Sequence, residues 1–529
     1  MSLSNVSWVD IPSSGRVALD QVAIRLHPVD EVAIAKTPLQ AGTVLESSSS
    51  DAVTIRQFIP AGHKIALRAL AAGEPVRRYG QVIGFTTAAI APGEHIHSHN
   101  LGVADFERDY AFGVDVTPVA VVAESERRTF NGYLRPDGRV GTRNMIAVIS
   151  TVNCSAHTSR EIARAFTDEI LAEYPNVDGV VALAHQSGCG NRIGGEDYAL
   201  LQRTLAGMAV HANVGAYILV GLGCETNQIA DLIRNYSLDA GNGLKPPPSL
   251  NIQDEGGIRK TVQAGVGAIR ELLPEVNRVA RSPQPVSELI VALQCGGSDG
   301  WSGVTANPAL GLALDELVRQ GGTGVLAETP EIYGAEHLLT RRAISEAVGQ
   351  KLVEKVRWWE DHARKHRMEI DNNPSVGNKV GGLTTIFEKS LGAVAKGGNT
   401  PLTAVYDYAE RITERGLVFM DSPGYDPVSA TGQVAGGSNL IVFTTGRGSV
   451  FGFKPVPSIK VATNSEMYRR MEDDMDLNAG EVLEGKTLEA VASELFELMI
   501  RVASGEQTKS EAQGVGESEF NPWNLGGTL

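Results

Sequence analysis

The sequence predicts a multidomain protein: a small all-β N-terminal domain followed by a two-part α/β region with mostly parallel sheets. Three observations carry that expectation. The chain has 529 residues, room for two to four domains at roughly 150 residues each and for at least one large core. Its hydrophobic pattern changes near Tyr133, from short alternating runs to a repeat of apolar strand, small-residue loop and amphipathic helix. Glycine is high, 58 residues or about 11% against an average near 7%, while aromatics make up only 6%. That mixture suits backbone-lined loops rather than an aromatic binding surface.

Taken in order, residues 20–100 hold the runs Val22–Leu26, Val32–Ala35, Val53–Phe58, Lys64–Leu67 and Val82–Phe85, separated by Gly and Pro turns, which read as a small β module. Residues 101–130 show no sustained period and are expected to be a linker. The first α/β domain is placed at 131–285 and the second at 286–529. The Pro-rich break RSPQPVSE (281–288) divides them, and GNGLKPPPSL (241–250) is a second break. Expected strands are 145–150, 179–184, 216–221, 289–293, 324–327, 417–420, 440–443 and 459–462. They are mostly continuous apolar runs, as strands buried on both faces of a parallel sheet require. Helical periodicity marks 159–173, 306–320 and 488–503.

Lys plus Arg is 47 against 62 for Asp plus Glu, a net charge of −15 that repels phosphate backbones and anionic membranes. Nucleic acid and membrane partners are therefore not expected. The start MSLSNVSWVDIPSSG lacks a basic segment followed by an apolar run, and four cysteines are too few for a disulfide framework, so a cytoplasmic protein with reduced thiols is expected. The longest apolar stretches, such as Gly215–Cys224, are too short to span a bilayer.

Each cysteine follows an expected strand: Cys154 in STVNCS, Cys189 in HQSGCG, Cys224 in GLGCET and Cys295 in LQCGGSDG. Carboxyl ends of parallel strands line the ligand crevice of open α/β sheets. Four thiols gathered there would suit iron, an iron–sulfur cluster or zinc, whereas taken singly each reads as a small buried hydrophobe. The segment His95-Ile-His97-Ser-His99 holds three of the eleven histidines. On a strand these would share one face, an arrangement for a divalent ion or an anionic ligand, or else a solvated edge. His63, after the Pro60–Gly62 turn, adds a fourth imidazole from the same module.

Gly-rich turns after strands carry further polar groups: Ser298 and Asp299 with Asn307, the NPSVGNKVGG segment with Lys379, and Thr445 with Arg447. Backbone amides there, joined by the two cations, would hold a carboxylate and sugar hydroxyls; the plain alternative is turn chemistry. Two pattern matches are set aside. GEVLEGKT (480–487) fits a phosphate loop by letter, but it lacks the preceding strand and the Gly-rich interior. DMDLN (474–478) opens like a calcium loop, but it has Ala479 where the turn glycine belongs.

The blocks HIHSHN, GHKIAL, RYGQVIGF, GLGCE, CGGSDGWSGVTANPALG, NPSVGNKVGGLTT, EKSLG, FTTGRG and KVATNSE together resemble the altronate and galactarate dehydratases, over nearly the whole chain from about residue 20. Within that family HIHSHN and ETPEIYGAEHLL look closer to the altronate members, and sulfolactate sulfo-lyase is a further relative. The resemblance implies an SAF-type β-clip domain at 20–100 and a catalytic α/β region. It also implies iron-dependent loss of water from a sugar acid, D-altronate first, giving 2-dehydro-3-deoxy-D-gluconate.

Such a reaction needs a base for the weakly acidic C2 proton and help for a poor hydroxide leaving group. Iron, as Fe²⁺ or a cluster, is expected on some of Cys154, Cys224 and Cys295, with Cys189 a fourth candidate. His63, His185 and Lys379 are the candidate bases. Arg447, Lys379, Asn153, Asn307 and Asn464 are expected to bind the carboxylate and hydroxyls. His95, His97 and His99 would close over the substrate or hold a second divalent ion. The assembly is expected to be a homo-oligomer. Two rival readings are a nicotinamide-dependent oxidoreductase, disfavoured because STVNCSAHTSR has no glycine where G-x-G-x-x-G belongs, and a non-catalytic sugar-acid-binding protein.

Overall fold

The computed structural model describes residues 15–47, 52–104, 110–239, 246–370 and 373–526. The first fourteen residues, 105–109 of the expected linker and 241–245 of the GNGLKPPPSL break lie outside them. No helix among the described residues is long and apolar enough to cross a membrane.

In the N-terminal module Ala23–Ile24, Val32–Ala35, Lys64–Ala66 and His95–Ile96 pair antiparallel, in that order across the sheet. Pro75–Arg78 and Gln81–Thr86 form a hairpin that Leu101–Gly102 extends. Leu39, Leu45, Ile55, Ile59 and Ile65 pack its small core. The run expected at 22–26 is strand only over Ala23–Ile24, because Leu19–Val22 makes a helical turn. The pairing of Ile65 with His95 sets two histidine-bearing segments side by side.

After the linker, Thr129–Leu134 pairs with Ser282–Pro285. The Pro-rich break is thus also an edge strand, a place where prolines cost no ladder hydrogen bond. Between these two segments lies a parallel sheet of β1 (Met145–Ser150), β2 (Gly179–Leu183), β3 (Val214–Gly221) and β4 (Ser249–Asn251), ordered β2-β1-β3-β4. All six residues of β1 are buried. Helices α1 (Ala156–Arg164), α2 (Glu196–Ala209) and α3 (Ile258–Val276) accompany the sheet. The helix expected over 159–173 breaks after Arg164, where Thr167 turns extended and starts a separate turn with Asp168 and Glu169 at its head.

The last domain is a seven-stranded parallel sheet of β5 (Ile290–Cys295), β6 (Thr323–Ala327), β7 (Leu402–Tyr406), β8 (Gly416–Met420), β9 (Leu440–Thr445), β10 (Ser458–Ala462) and β11 (Leu477–Asn478). Its order is β7-β8-β6-β5-β9-β10-β11. Helices α4 (Ala306–Arg319), α5 (Val376–Val380), α6 (Ile386–Val394), α7 (Asp426–Ala435) and α8 (Leu488–Ala503) join and cover the strands. Strand β7, absent from the sequence expectation, is an edge strand with Thr403 and Ala404 half exposed. The crossover after β5 leads to β6 on one side, and the crossover after β8 leads to β9 on the other. The carboxyl ends of β5 and β9 therefore flank a topological switch point, where open α/β sheets place their ligands.

Candidate active site

At that switch point the loop after β5, Gly296 to Gly300, is stitched to the loop after β9 by Gly446 N–H and Arg447 N–H donating to Gly297 O, at 3.1 and 2.7 Å. Beside them opens a cavity of about 300 Å³ lined by Cys295, Gly297, Glu331, Asn378, Lys389 and Asp426 among others. Its volume lies at the small end of the range for small-molecule pockets. The arginine side chain runs past Gly297 and Gly381 and makes no hydrogen bond or ion pair with a described residue. Lys379, one residue after Asn378 on α5, is likewise unpaired. Ser298 Oγ is buried and has no partner.

The N-terminal module closes this crevice from one side. Its Pro60–Gly62 turn fits between the chain at Gly300 and at Gly382, where an added Cβ would fall 2.2 and 2.4 Å from Gly62 O; only glycine permits that approach. His63 follows. Its Nε2 donates to Val380 O at 3.2 Å, so the neutral ring accepts at Nδ1 from His95 Nε2 at 3.0 Å. His97 Nε2 donates to Lys379 O at 2.9 Å, and its Nδ1 accepts from Ser98 Oγ. Burial lowers His63 to about 4 and His95 to about 3, and it lowers His97 too, so all three rings are neutral near pH 7. His99 is exposed at the rim.

A buried ionic clasp holds the module down. Glu388 on α6 accepts from Lys64 Nζ at 2.9 Å and from Arg78 at 2.5 Å, while Lys64 also reaches Gly382 O and Arg78 reaches Gly300 O. Burial alone would raise Glu388, but the two cations draw it down to about 2. For Lys64 burial outweighs its partner, and its pKa falls to about 8.

Several expected site residues prove to be framework. Asp299 accepts from Thr463, Ser302, Asn464 and Trp301 N–H, which ties the loop after β5 to the chain after β10. Asn307 is spent on Gly392 O and Thr444 Oγ1. Asn464 caps a helix through Met467 N–H and holds Gly446 O, and Thr445 Oγ1 accepts from Gly448 and Ser449 N–H. None of these four has a side chain left over for substrate. His185 is buried on the other sheet, with Nε2 donating to Ser150 O and Nδ1 accepting from Ser187 N–H. Both nitrogens are occupied, which removes it as a base and gives it the task of shaping its loop.

The four cysteines do not meet. Cys295 is buried between Lys396 Nζ at 3.1 Å and Glu331 Oε2 at 3.3 Å, and burial pushes its thiol up to about 12. Standing on β5, on a different sheet from the other three cysteines, it is separated from the expected metal set. Cys154, Cys189 and Cys224 are exposed at the ends of β1, β2 and β3. Their loops are laced together by Asn153 N–H donating to Ser187 O and Asn227 N–H to Gly188 O, at 2.9 and 3.1 Å. Asn153 belongs to that cluster, away from Arg447. Among the described residues no three His, Cys, Asp or Glu side chains converge to hold a metal ion, the four histidines included.

Sequence reading missed the network behind the cavity. Glu331 accepts from Lys389 at 2.6 Å and from Lys396 at 3.1 Å. Coulombic attraction to these two lysines overcomes burial and holds Glu331 well below the carboxylate range, while burial and Glu331 together drive Glu328 far above it. The available signal was an ionisable pair, Glu388-Lys389, inside the otherwise apolar and wholly buried helix IFEKSLGAV.

Three family descriptions match the chain in succession: the altronate/galactarate dehydratase SAF domain over 21–104, the D-galactarate dehydratase/altronate hydrolase second domain over 132–277, and the D-galactarate/altronate dehydratase C-terminal region over 286–528. The altronate dehydratase of Escherichia coli (strain K12) is 36% identical over 92% of this chain and 96% of its own. The chain belongs to the altronate/galactarate dehydratase family. The family's SAF domain is the module that carries the four histidines, and its C-terminal region is the seven-stranded sheet. The galactarate dehydratase (L-threo-forming) of the same bacterium is 37% identical over 94% of this chain and 96% of its own. The (2R)-sulfolactate sulfo-lyase β subunit of Chromohalobacter salexigens is 34% identical over 74% of this chain and 96% of its own.

Proposed function

We propose that this member of the family is a hydro-lyase that removes water from a sugar acid, D-altronate first and galactarate second, giving from altronate 2-dehydro-3-deoxy-D-gluconate. The observation that carries the reading is a pair of unpartnered cations next to the lining of an open 300 Å³ cavity: Arg447, whose side chain runs past the lining residue Gly297, and Lys379, which follows the lining residue Asn378, with a buried unpartnered hydroxyl at Ser298 in the same loop as Gly297. A guanidinium takes a carboxylate by two parallel hydrogen bonds, and the ammonium adds charge from the facing loop. Holding the carboxylate between two cations acidifies the C2 proton. The neutral histidines of the SAF module shape this grip by fixing the carbonyls of Lys379 and Val380, and the module excludes water from the crevice.

Iron is part of the proposal. Cys154, Cys189 and Cys224 are the residues that would hold it: their thiol donors and hydrogen-bonded loops suit soft iron, and their side chains, which do not converge as they stand, would have to turn toward one another to bind it. Iron held there would supply Lewis acidity. A second divalent ion at the histidines finds no support, since His63 and His97 spend both ring nitrogens on hydrogen bonds. The thiols argue for a reducing compartment such as the cytoplasm, and a homo-oligomer remains part of the proposal.

The test is a panel of altronate, galactarate, galactonate and sulfolactate, incubated anaerobically with the purified protein and ferrous iron. Formation of a 2-keto-3-deoxy acid from altronate is expected. Binding of altronate without turnover of any of the four would leave a sugar-acid-binding protein instead.

A further inference from the structure

We propose that Asp426 is the acid–base residue of the elimination, transferring the C2 proton to the departing C3 hydroxyl inside the cavity at the ends of β5 and β6. The inference rests on the dehydratase reading and assigns it a proton carrier that the histidines do not provide. Asp426 is the first residue of α7 and lines the cavity. Its carboxylate lies over the tip of β5, where an added Cβ at Gly296 would stand 2.6 Å from Asp426 Oδ2. A side chain there would evict the carboxylate. Although half buried, Asp426 makes no hydrogen bond with any described residue. Of the other carboxylates placed here, Asp299, Glu331 and Glu388 are each held by at least two donors, and Glu328, whose Oε2 is also unpartnered, does not line the cavity.

The groups that face Asp426 come from every neighbouring element. Glu328 and Glu331 stand in the turn after β6, Lys389 on α6, Lys396 in the turn that follows it, and Cys295 at the end of β5. Glu331 binds both lysines, so the wall carries a net positive charge opposite the free carboxylate. Burial, reinforced by Glu331 and opposed by the two lysines, lifts Asp426 to about 7. A carboxylate poised there accepts and returns a proton near neutral pH.

The step balances without a co-reactant. Asp426 takes the C2 proton, and the C–H electron pair passes into the substrate carboxylate, as an enediolate that Lys379 and Arg447 hold and the positive field of the lysine-bearing wall further stabilises. That pair then forms the C2–C3 double bond as the C3–O bond breaks. The oxygen leaves with its electrons and takes the proton from Asp426 to become water, and the enol tautomerises to the 2-keto acid.

The test uses the full-length, iron-loaded enzyme. Wild type is expected to show kcat/KM rising with pH through a limb near 7, as Asp426 loses its proton, together with exchange of the C2 proton of altronate in D₂O. Asp426→Asn should lose at least a hundredfold in kcat and lose the exchange, while calorimetry shows altronate still bound. Asp426→Glu should retain part of the turnover with the limb displaced. Wild-type kcat or an unmoved limb in either variant overturns the inference and leaves the dehydratase reading standing. A wild type that converts no sugar acid overturns both. Should Asp426→Asn not fold, the limb of the wild type and its displacement in Asp426→Glu still decide the matter.

Discussion

Replacing Glu388 with Gln should loosen the SAF module from the catalytic domain. The amide keeps the side chain's size and its bonds with Thr384 but removes the charge that Lys64 and Arg78 share, at 2.9 and 2.5 Å and in full burial. Breaking a buried ion pair from one side costs about 3–5 kcal/mol, because the stranded charge stays out of water. Domain stabilities are about 5–15 kcal/mol, so about a fifth or more of the margin is at stake. At an m-value of about 2 kcal/mol/M in urea, 3 kcal/mol lowers the midpoint by about 1.5 M. The pH dependence has a defined sign. Lys64 sits at about 8, below its ordinary 10.5, so the folded state gives up that proton first and its contribution to stability improves as pH rises from 8 toward 10.5. The penalty in Glu388→Gln should accordingly be largest below pH 8 and shrink above it, where Arg78 alone is stranded. Urea unfolding at pH 6.5 and 9.5, with limited proteolysis of the 102–128 connection, measures both effects. A midpoint within about 0.3 M of wild type, with unchanged proteolysis, would show that the clasp does not dock the module.

Arg447→Ala should raise KM for the sugar acid about tenfold or more, as loss of a charged hydrogen bond worth about 1.5–3 kcal/mol requires; steady-state kinetics with an unchanged KM would remove Arg447 from substrate binding. His97→Ala frees the carbonyl of Lys379, so KM should rise several-fold while iron content stays constant, and a fall in iron would instead make His97 a ligand. Cys154→Ser should lower bound iron measured after anaerobic purification, whereas Cys295→Ser should leave it unchanged, because Cys295 stands with Lys396 and Glu331 on the other sheet. Equal loss in both variants would contradict the separation of the two sites.

Much of the sheet framework was legible because a strand buried on both faces must be apolar throughout. Met145–Ser150 and Leu440–Thr445 are buried along their whole length and have a neighbouring strand on each side. Strand β7 escaped notice because an edge strand exposes Thr403 and Ala404 and so loses the run. The candidate site was legible only in its cations and its histidine module. Polar residues in Gly-rich turns look alike whether they stay unpartnered, as Ser298 does, or bind their own loops, as Asp299 and Asn307 do. What separates them is whether a partner stands within reach, and such partners lie far off in sequence: Thr463 is 164 residues from Asp299. Cysteines at strand ends gave the same ambiguity, since strand order alone decides which of them share a sheet.

Helix α6 links the module to the chemistry. Glu388 and Lys389 are adjacent on it and point into different networks: Glu388 grips Lys64 and Arg78 of the SAF module, and Lys389 grips Glu331 on the cavity wall. Every residue of the helix is buried, so it cannot shift at one residue while staying fixed at the next, interiors of such density being stiff. Displacement of the module therefore moves Lys389, and with it the field on Asp426. From this follows a ranking that a purely local picture would not give. Glu388→Gln, which touches no substrate, should lower kcat as well as raise KM, whereas Arg447→Ala should act mainly on KM. If the two variants share one kinetic signature, the helix does not transmit between cap and cavity and the clasp serves stability alone.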